Sequence, residues 1–195
     1  MNTASGHNPT HRTVNSTLGL YLLLASLAML FLASFAAYII FRFQVQAKSA
    51  TERIDVPALL WASTAVMVIS SLTIHQSLAA LKRRQQNLFQ VMLLITFILA
   101  TLFLCIQTPC IVNLLDQHFE LVNRNMPQYG LVFFLVLLHA LHVIGGILPM
   151  AWILKKAYAN RYSHDHHTPV KNMIIYWHFL DLAWLAMFAM FLIVA

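Results

Sequence analysis

The chain is written in long apolar stretches separated by short polar ones. Five runs stand out, at residues 17–43, 56–81, 88–115, 130–154 and 172–195. At about 1.5 Å rise per helical residue, each is longer than a hydrocarbon core of roughly 30 Å, with room for tilt. A segment crossing lipid must satisfy its own backbone N–H and C=O groups, because no water is there to do it. A barrel strand would alternate apolar and polar residues over about ten positions, and these runs do not. The pattern predicts an all-α fold, a polytopic membrane helix bundle with five transmembrane helices. It forms a single membrane domain over 1–195, with residues 1–16 as a polar, mobile tail. The first run is too long for the apolar core of a signal peptide and lacks a small-residue cleavage site.

Composition agrees: 60% of residues are hydrophobic and 9% are charged, against about 25% charged in a soluble domain. The net charge of +6 does not indicate nucleic acid, because the basic residues sit in short loops where they set topology. Arg12, Lys82, Arg83, Arg84, Lys155, Lys156, Arg161 and Lys171 share one side; Arg42, Lys48, Arg53 and Arg124 share the other. Eight against four places the N-terminus inside and the C-terminus outside. Short loops make sequential helices neighbours in the bundle. No soluble enzyme domain is evident, so any chemistry belongs to the membrane or to a partner.

Polar residues within the spans are costly and therefore informative. In the fourth span His139, His142, Gly146 and Pro149 fall within about 80° on a helical wheel, and Gly145 and Gly146 admit a close neighbouring helix. In the fifth, Trp177, His178, Asp181, Trp184 and Phe188 fill an arc of about 120°. His142 and Asp181 come out about 18 and 16 Å below the outer face. An unpaired buried carboxylate is expensive, so Asp181 is expected to bond His142 or His139 across the interface of spans four and five. Ser26 in span one, Ser70, Ser71 and Thr73 in span two, and Trp177 and Trp184 in span five are expected to pack between helices. Thr96, Ala100, Phe103 and Gln107 form a stripe in span three, with Gln107 reaching a neighbouring helix.

Three histidines and an aspartate suggest a metal or haem site or a proton relay. A hydrogen-bonded set that holds helices together is the simpler reading. No catalytic, cofactor-binding or metal-binding residue is assigned. Cys105 and Cys110 stand about 140° apart in azimuth, cannot bridge each other, and read as small hydrophobes. The tract Ser163-His164-Asp165-His166-His167 reads as a solvated loop near lipid headgroups rather than a metal site.

These motifs resemble subunit III of the haem–copper respiratory oxidases. Tyr176-Trp177-His178-Phe179-Leu180-Asp181 followed by Trp184 is similar to the family's closing pattern. His139, Ala140, His142, Val143 and Gly146 match its preceding histidine pattern. Weaker echoes are Phe35-Ala36-Ala37-Tyr38, Ser70-Ser71 with Thr73, and Phe103-Leu104 with Gln107. Five spans look like the bacterial form, which implies the inner (plasma) membrane. The resemblance implies an accessory chain with no haem or copper of its own, since those belong to partner subunits. It implies packing against subunit I, with subunit II in the same complex. It also implies bound phospholipid, and support of proton uptake and of stability in a complex that reduces dioxygen and pumps protons.

Two positions depart from the family. Its span-one Ser-Glu pair is Ser26-Leu27 here, so a membrane carboxylate is missing, and any role of that glutamate does not carry over. Thr108-Pro109-Cys110 replaces an acidic-aromatic segment. These departures suggest a divergent branch, attached to another oxidase or to a nitric oxide reductase. An independent transporter with His139, His142, His178 and Asp181 as a proton path is a different class, and would require water reaching Asp181.

Overall fold

The computed structural model describes residues 9–46, 58–122, 128–159 and 168–194. It contains five helices: α1 (Pro9–Gln46), α2 (Ala58–Lys82), α3 (Gln86–Val122), α4 (Gln128–Tyr158) and α5 (Thr168–Val194). Each holds a segment long and apolar enough to cross a membrane: Thr17–Ile40, Leu59–Lys82, Gln86–Pro109, Phe133–Tyr158 and Thr168–Met190. This is a multi-pass membrane protein. No strand occurs among the described residues. α1 begins at Pro9, so residues 9–16 of the expected tail are helical. Proline suits that first position, where its missing N–H is not needed.

Helices α2 to α5 close a ring: α2 packs on α3, α3 on α4, α4 on α5, and α5 back on α2. Each turns one heptad stripe inward, the spacing of a left-handed bundle. On α2 the stripe is Ser63, Met67, Ser70, Ile74, Ser77 and Leu81; on α3 it is Phe89, Leu93, Thr96, Ala100, Phe103 and Gln107. On α5 it is Val170, Met173, Trp177, Leu180, Trp184 and Met187. Small hydroxyl residues on α2 face large side chains elsewhere, so the helices interlock closely without hydrophobic drive between them.

α1 lies outside the ring. Among the described residues it packs on α4 and α5 alone, and 17% of its spanning segment is buried against 56% for α5. Its inner face carries Leu27, Phe31 and Tyr38. Leu27 thus occupies an apolar contact on the face whose next turn, Phe31, meets the rings of His139, His142 and Phe179.

The α2–α3 connection is a Schellman turn. Arg84 takes a left-handed φ of 60°, Gln85 N donates to Ala80 O at 3.0 Å, and Arg84 N donates to Leu81 O at 3.1 Å. These bonds satisfy carbonyls at the helix end. Gln90 Nε2 of α3 donates to Ala157 O of α4 at 2.9 Å, tying the start of one helix to the end of the next.

The two adjacent glycines have different roles. A Cβ on Gly146 would stand 2.8 Å from Tyr176 Cε1 and 3.3 Å from Trp177 Cζ3; one on Gly145 meets only Tyr176 Oη, at 3.8 Å. Tyr176 cannot swing away freely, because its hydroxyl donates to His142 O at 2.9 Å. Gly146→Ala is therefore expected to destabilise the bundle by about 1–3 kcal/mol through overpacking. Gly145→Ala should be neutral, or gain up to about 1 kcal/mol from helix propensity. Thermal unfolding of the two variants in one mild detergent distinguishes them; equal losses would refute the assignment.

Candidate functional site

The polar residues inside the spans form seams between helices. Along α2 and α5 three bonds cross. Trp184 Nε1 donates to Thr64 Oγ1 at 3.1 Å, Trp177 Nε1 donates to Ser70 Oγ at 3.2 Å, and Ser71 Oγ lies 2.8 Å from His178 Nδ1. The hydroxyls serve twice. Thr64 Oγ1 also donates to Leu60 O at 2.8 Å, and Ser70 Oγ to Met67 O at 2.8 Å. A hydroxyl has one proton and two lone pairs, so each gives its proton to its own helix and accepts an indole N–H from α5.

A second seam joins α2 to α3. Gln107 Nε2 donates to Ser63 Oγ at 2.8 Å, which places Gln107 against a neighbouring helix as expected. Thr73 Oγ1 and Thr96 Oγ1 lie 2.8 Å apart. These contacts set the register of the antiparallel pair.

The histidines fall into two settings. His139 is buried in an aromatic cage of Phe103, Trp184 and Phe31, with ring centroids at 5.9, 5.3 and 6.4 Å. Neither of its ring nitrogens has a hydrogen-bond partner among the described residues. His142, one turn on, sits with Nδ1 2.7 Å from Leu138 O of its own helix. His178 instead faces α2. Its Nδ1 lies 3.6 Å from Asp181 Oδ2, and its ring centroid is 6.2 Å from that of His75.

The expected bond from Asp181 to His139 or His142 is therefore corrected. The carboxylate approaches His178 of its own helix, on the side of Ser71, and not the α4 histidines. Depth alone suggested the α4 pairing. Azimuth decides otherwise, since the aromatic face of Trp184 and Phe103 meets α4 at that level. Ser26 is also corrected: it is exposed, and its hydroxyl folds back to Leu23 O at 2.8 Å instead of entering a helix contact. Trp177, Trp184, Ser70, Ser71 and Gly146 do pack between helices, whereas Gly145 is exposed. Cys105 is free and exposed; the side chain of Cys110 and the tract 163–167 lie outside the described residues. No three His, Cys, Asp or Glu among the described residues come together as metal ligands.

Ser63, Thr64, His75 and Tyr176 were not singled out from the sequence as polar contacts. A signal existed for the first. Ser63, Ser70 and Ser77 recur every seven residues, which marks one face of a bundle helix. His75 carries no such pattern.

Between α1, α4 and α5 an apolar groove of about 340 Å³ is lined by Leu20, Leu23, Pro149, Trp152, Tyr176 and their neighbours. Lys156 Nζ stands 3.4 Å from the centroid of the Trp152 ring, a cation–π contact. Asp181 does not line this groove.

Comparison with known proteins adds the family. The family described as cytochrome c oxidase subunit III matches residues 2–195. A cytochrome bo(3) ubiquinol oxidase subunit 3 from Buchnera aphidicola subsp. Acyrthosiphon pisum is 23% identical, covering 94% of this chain and 90% of its own length. A probable cytochrome c oxidase subunit 3 from Nocardia farcinica is 26% identical, covering 89% and 85%. A cytochrome c oxidase subunit 3 from Synechocystis is 26% identical, covering 87% and 72%.

The α2–α5 seam generates a quantitative expectation. Ser70→Ala and Trp177→Phe should be coupled by about 0.6 kcal/mol, and by no more than about 1.7, the range for hydrogen bonds between membrane helices. A double-mutant cycle on detergent-solubilised protein reads this directly. Strict additivity would show that the bond contributes nothing.

Proposed function

The chain belongs to the cytochrome c oxidase subunit III family, and from that premise we propose that it is a non-catalytic accessory subunit of a haem–copper terminal oxidase in a bacterial plasma membrane. The observation that carries this is the match over residues 2–195, joined to a ring whose helices are held by indole, amide and hydroxyl bonds, with His178 meeting Ser71 across α2 and α5. The relatives carry the names of both ubiquinol and cytochrome c oxidases, so the reading is placed at the level of the complex. The chain packs against subunit I, in a complex that also holds subunit II, and contributes to proton uptake and stability there. An independent proton path is less well supported, because His139 is caged by aromatic rings while His178 and Asp181 face α2.

In the proposed orientation the N-terminus is inside, because the ends carrying Lys82, Lys155, Lys156 and Lys171 hold the larger basic charge. The groove between α1, α4 and α5 then opens in the inner half of the membrane and takes a phospholipid. Acyl carbon lies along Leu20 and Leu23, and the headgroup lies near Lys156, whose stem extends over Trp152.

The test is purification of the tagged chain in mild detergent, with an absorption spectrum and identification of co-purifying chains. Haem bands and a haem–copper catalytic subunit are expected. A colourless lone protein that moves protons in vesicles would overturn the proposal. For the lipid, Trp152→Ala is expected to lower the phospholipid retained after delipidating washes about tenfold, the loss of one contact of about 1.4 kcal/mol. Unchanged retention would remove the groove as its site.

A further inference from the structure

Asp181 is the one acidic residue within the five apolar runs. It stands thirteen residues after Thr168 and nine before Met190, the ends of the α5 spanning segment. At about 1.5 Å per residue those are about 20 and 14 Å, near the middle of the span. Its side chain is 9% exposed, so whatever balances a charge there must come from within the chain.

The chain offers no lysine or arginine at this depth. Residues 17–40, 57–81, 88–115, 130–154 and 172–195 contain none. The groups able to carry positive charge are histidines. α4 brings His139 and His142, whose rings meet Phe31. α1 brings no histidine over residues 17–40. α2 brings His75, whose ring lies 6.2 Å from that of His178. α5 itself brings His178.

His178 is the near one, and its geometry is not that of an ion pair. A charge-assisted imidazolium–carboxylate bond closes to about 2.7–2.9 Å. Here the 2.8 Å contact of Nδ1 goes to Ser71 Oγ, while Asp181 Oδ2 stands off at 3.6 Å. Neither carboxyl oxygen has a hydrogen-bond partner among the described residues.

Ser71 shows which way the proton points. α2 carries hydroxyls at Ser63, Thr64, Ser70, Ser71, Thr73 and Ser77. All but Ser71 donate to a carbonyl of their own helix, at 2.7–2.9 Å. Ser71 makes no such bond among the described residues; its contact is His178 Nδ1. If Nδ1–H donated to Ser71, the Ser71 proton would have no acceptor, at a cost. With Ser71 donating, Nδ1 uses its lone pair, and the neutral ring carries its proton at Nε2. An ionised Asp181 would then face an unprotonated nitrogen, with neither donor nor cation beside it, in a setting where lone charges are expensive.

We propose that Asp181 is a proton-binding site: at neutral pH it holds a proton as a carboxylic acid, and Ser71 is a positioning residue that keeps His178 neutral by donating to Nδ1. Ser71, His178 and Asp181 together then carry no charge at mid-membrane. The assignment goes beyond the accessory reading and does not rest on it. Ser71 also fixes where the proton resides. Once Nδ1 is released, the Asp181 O–H bond can break and an N–H bond form at Nδ1, which leaves a carboxylate beside an imidazolium.

The experiment is infrared and nitrogen magnetic resonance spectroscopy of the full-length chain in mild detergent. The chain has six acidic side chains, so the C=O band of a protonated acid can be assigned by substitution. That band is expected at about pH 8, where an ordinary aspartate, with a value of about 3.9, is ionised. Asp181→Asn should abolish it. With labelled histidine, the signals that His178→Gln removes should be those of a neutral ring protonated at Nε2. Ser71→Ala should lose the acid band and turn the His178 signals into those of an imidazolium, while Ser71→Thr keeps the native spectra. The labelled native chain needs no variant fold beyond the one used for assignment. A native chain without the acid band, or with His178 as imidazolium, would overturn the proposal. A band that survives Asp181→Asn belongs to another carboxyl and would overturn it equally. Native spectra from Ser71→Ala would overturn the role given to Ser71.

Discussion

Lipid gives a polar group nothing to bond, and the arrangement of this bundle depends on that constraint. Backbone groups are satisfied by making helices. Side-chain donors must then find acceptors on neighbouring helices. Here the two buried indoles of α5 find hydroxyls on α2, at Thr64 and Ser70. Because each hydroxyl returns its own proton to a carbonyl one turn back, no donor in these two contacts is left over. The α2–α5 seam is the closure that turns a row of four helices into a ring, so these bonds determine shape as well as energy.

Packing follows from the same residues. Serine at every second heptad position of α2 keeps that helix thin where tryptophan is thick on α5. Gly146 does the same for α4, admitting the Tyr176 ring to within a distance no Cβ would allow. The Tyr176 hydroxyl then bonds the carbonyl of His142, so close approach and hydrogen bonding reinforce each other. α1 stands outside these seams. Its inner face is Leu27, Phe31 and Tyr38, and most of its span stays exposed.

The five spans were legible from the sequence because apolar length is a one-dimensional property. The inward faces were much less so. When every side of a helix is apolar, hydrophobic periodicity carries no direction, and only the seven-residue spacing of Ser63, Ser70 and Ser77 on α2 betrays the stripe. Gln107 was readable because a mid-span amide must bond to another helix. The partner of Asp181 was not, because a helical wheel gives angles within one helix and says nothing of the rotation of the next. Depth alone put Asp181 level with His142, yet rotation turned it toward Ser71. Ser26 was expected to pack between helices, but it lies on the exposed side of α1, next to the inward Leu27.

The polar groups then divide by direction, and the division carries functional meaning. His139 points inward, where Phe103, Trp184 and Phe31 enclose it; an imidazole sealed in this way fills space and has no exposed route to another molecule. His75 and His178 lie toward the outside of the bundle, His75 exposed and His178 partly so. Within the bundle His178 meets Ser71 and Asp181, and its ring lies 6.2 Å from that of His75. Neighbouring hydroxyls of α2 thus serve two sides of α5: Ser70 takes the buried indole of Trp177, and Ser71 meets the half-exposed imidazole of His178.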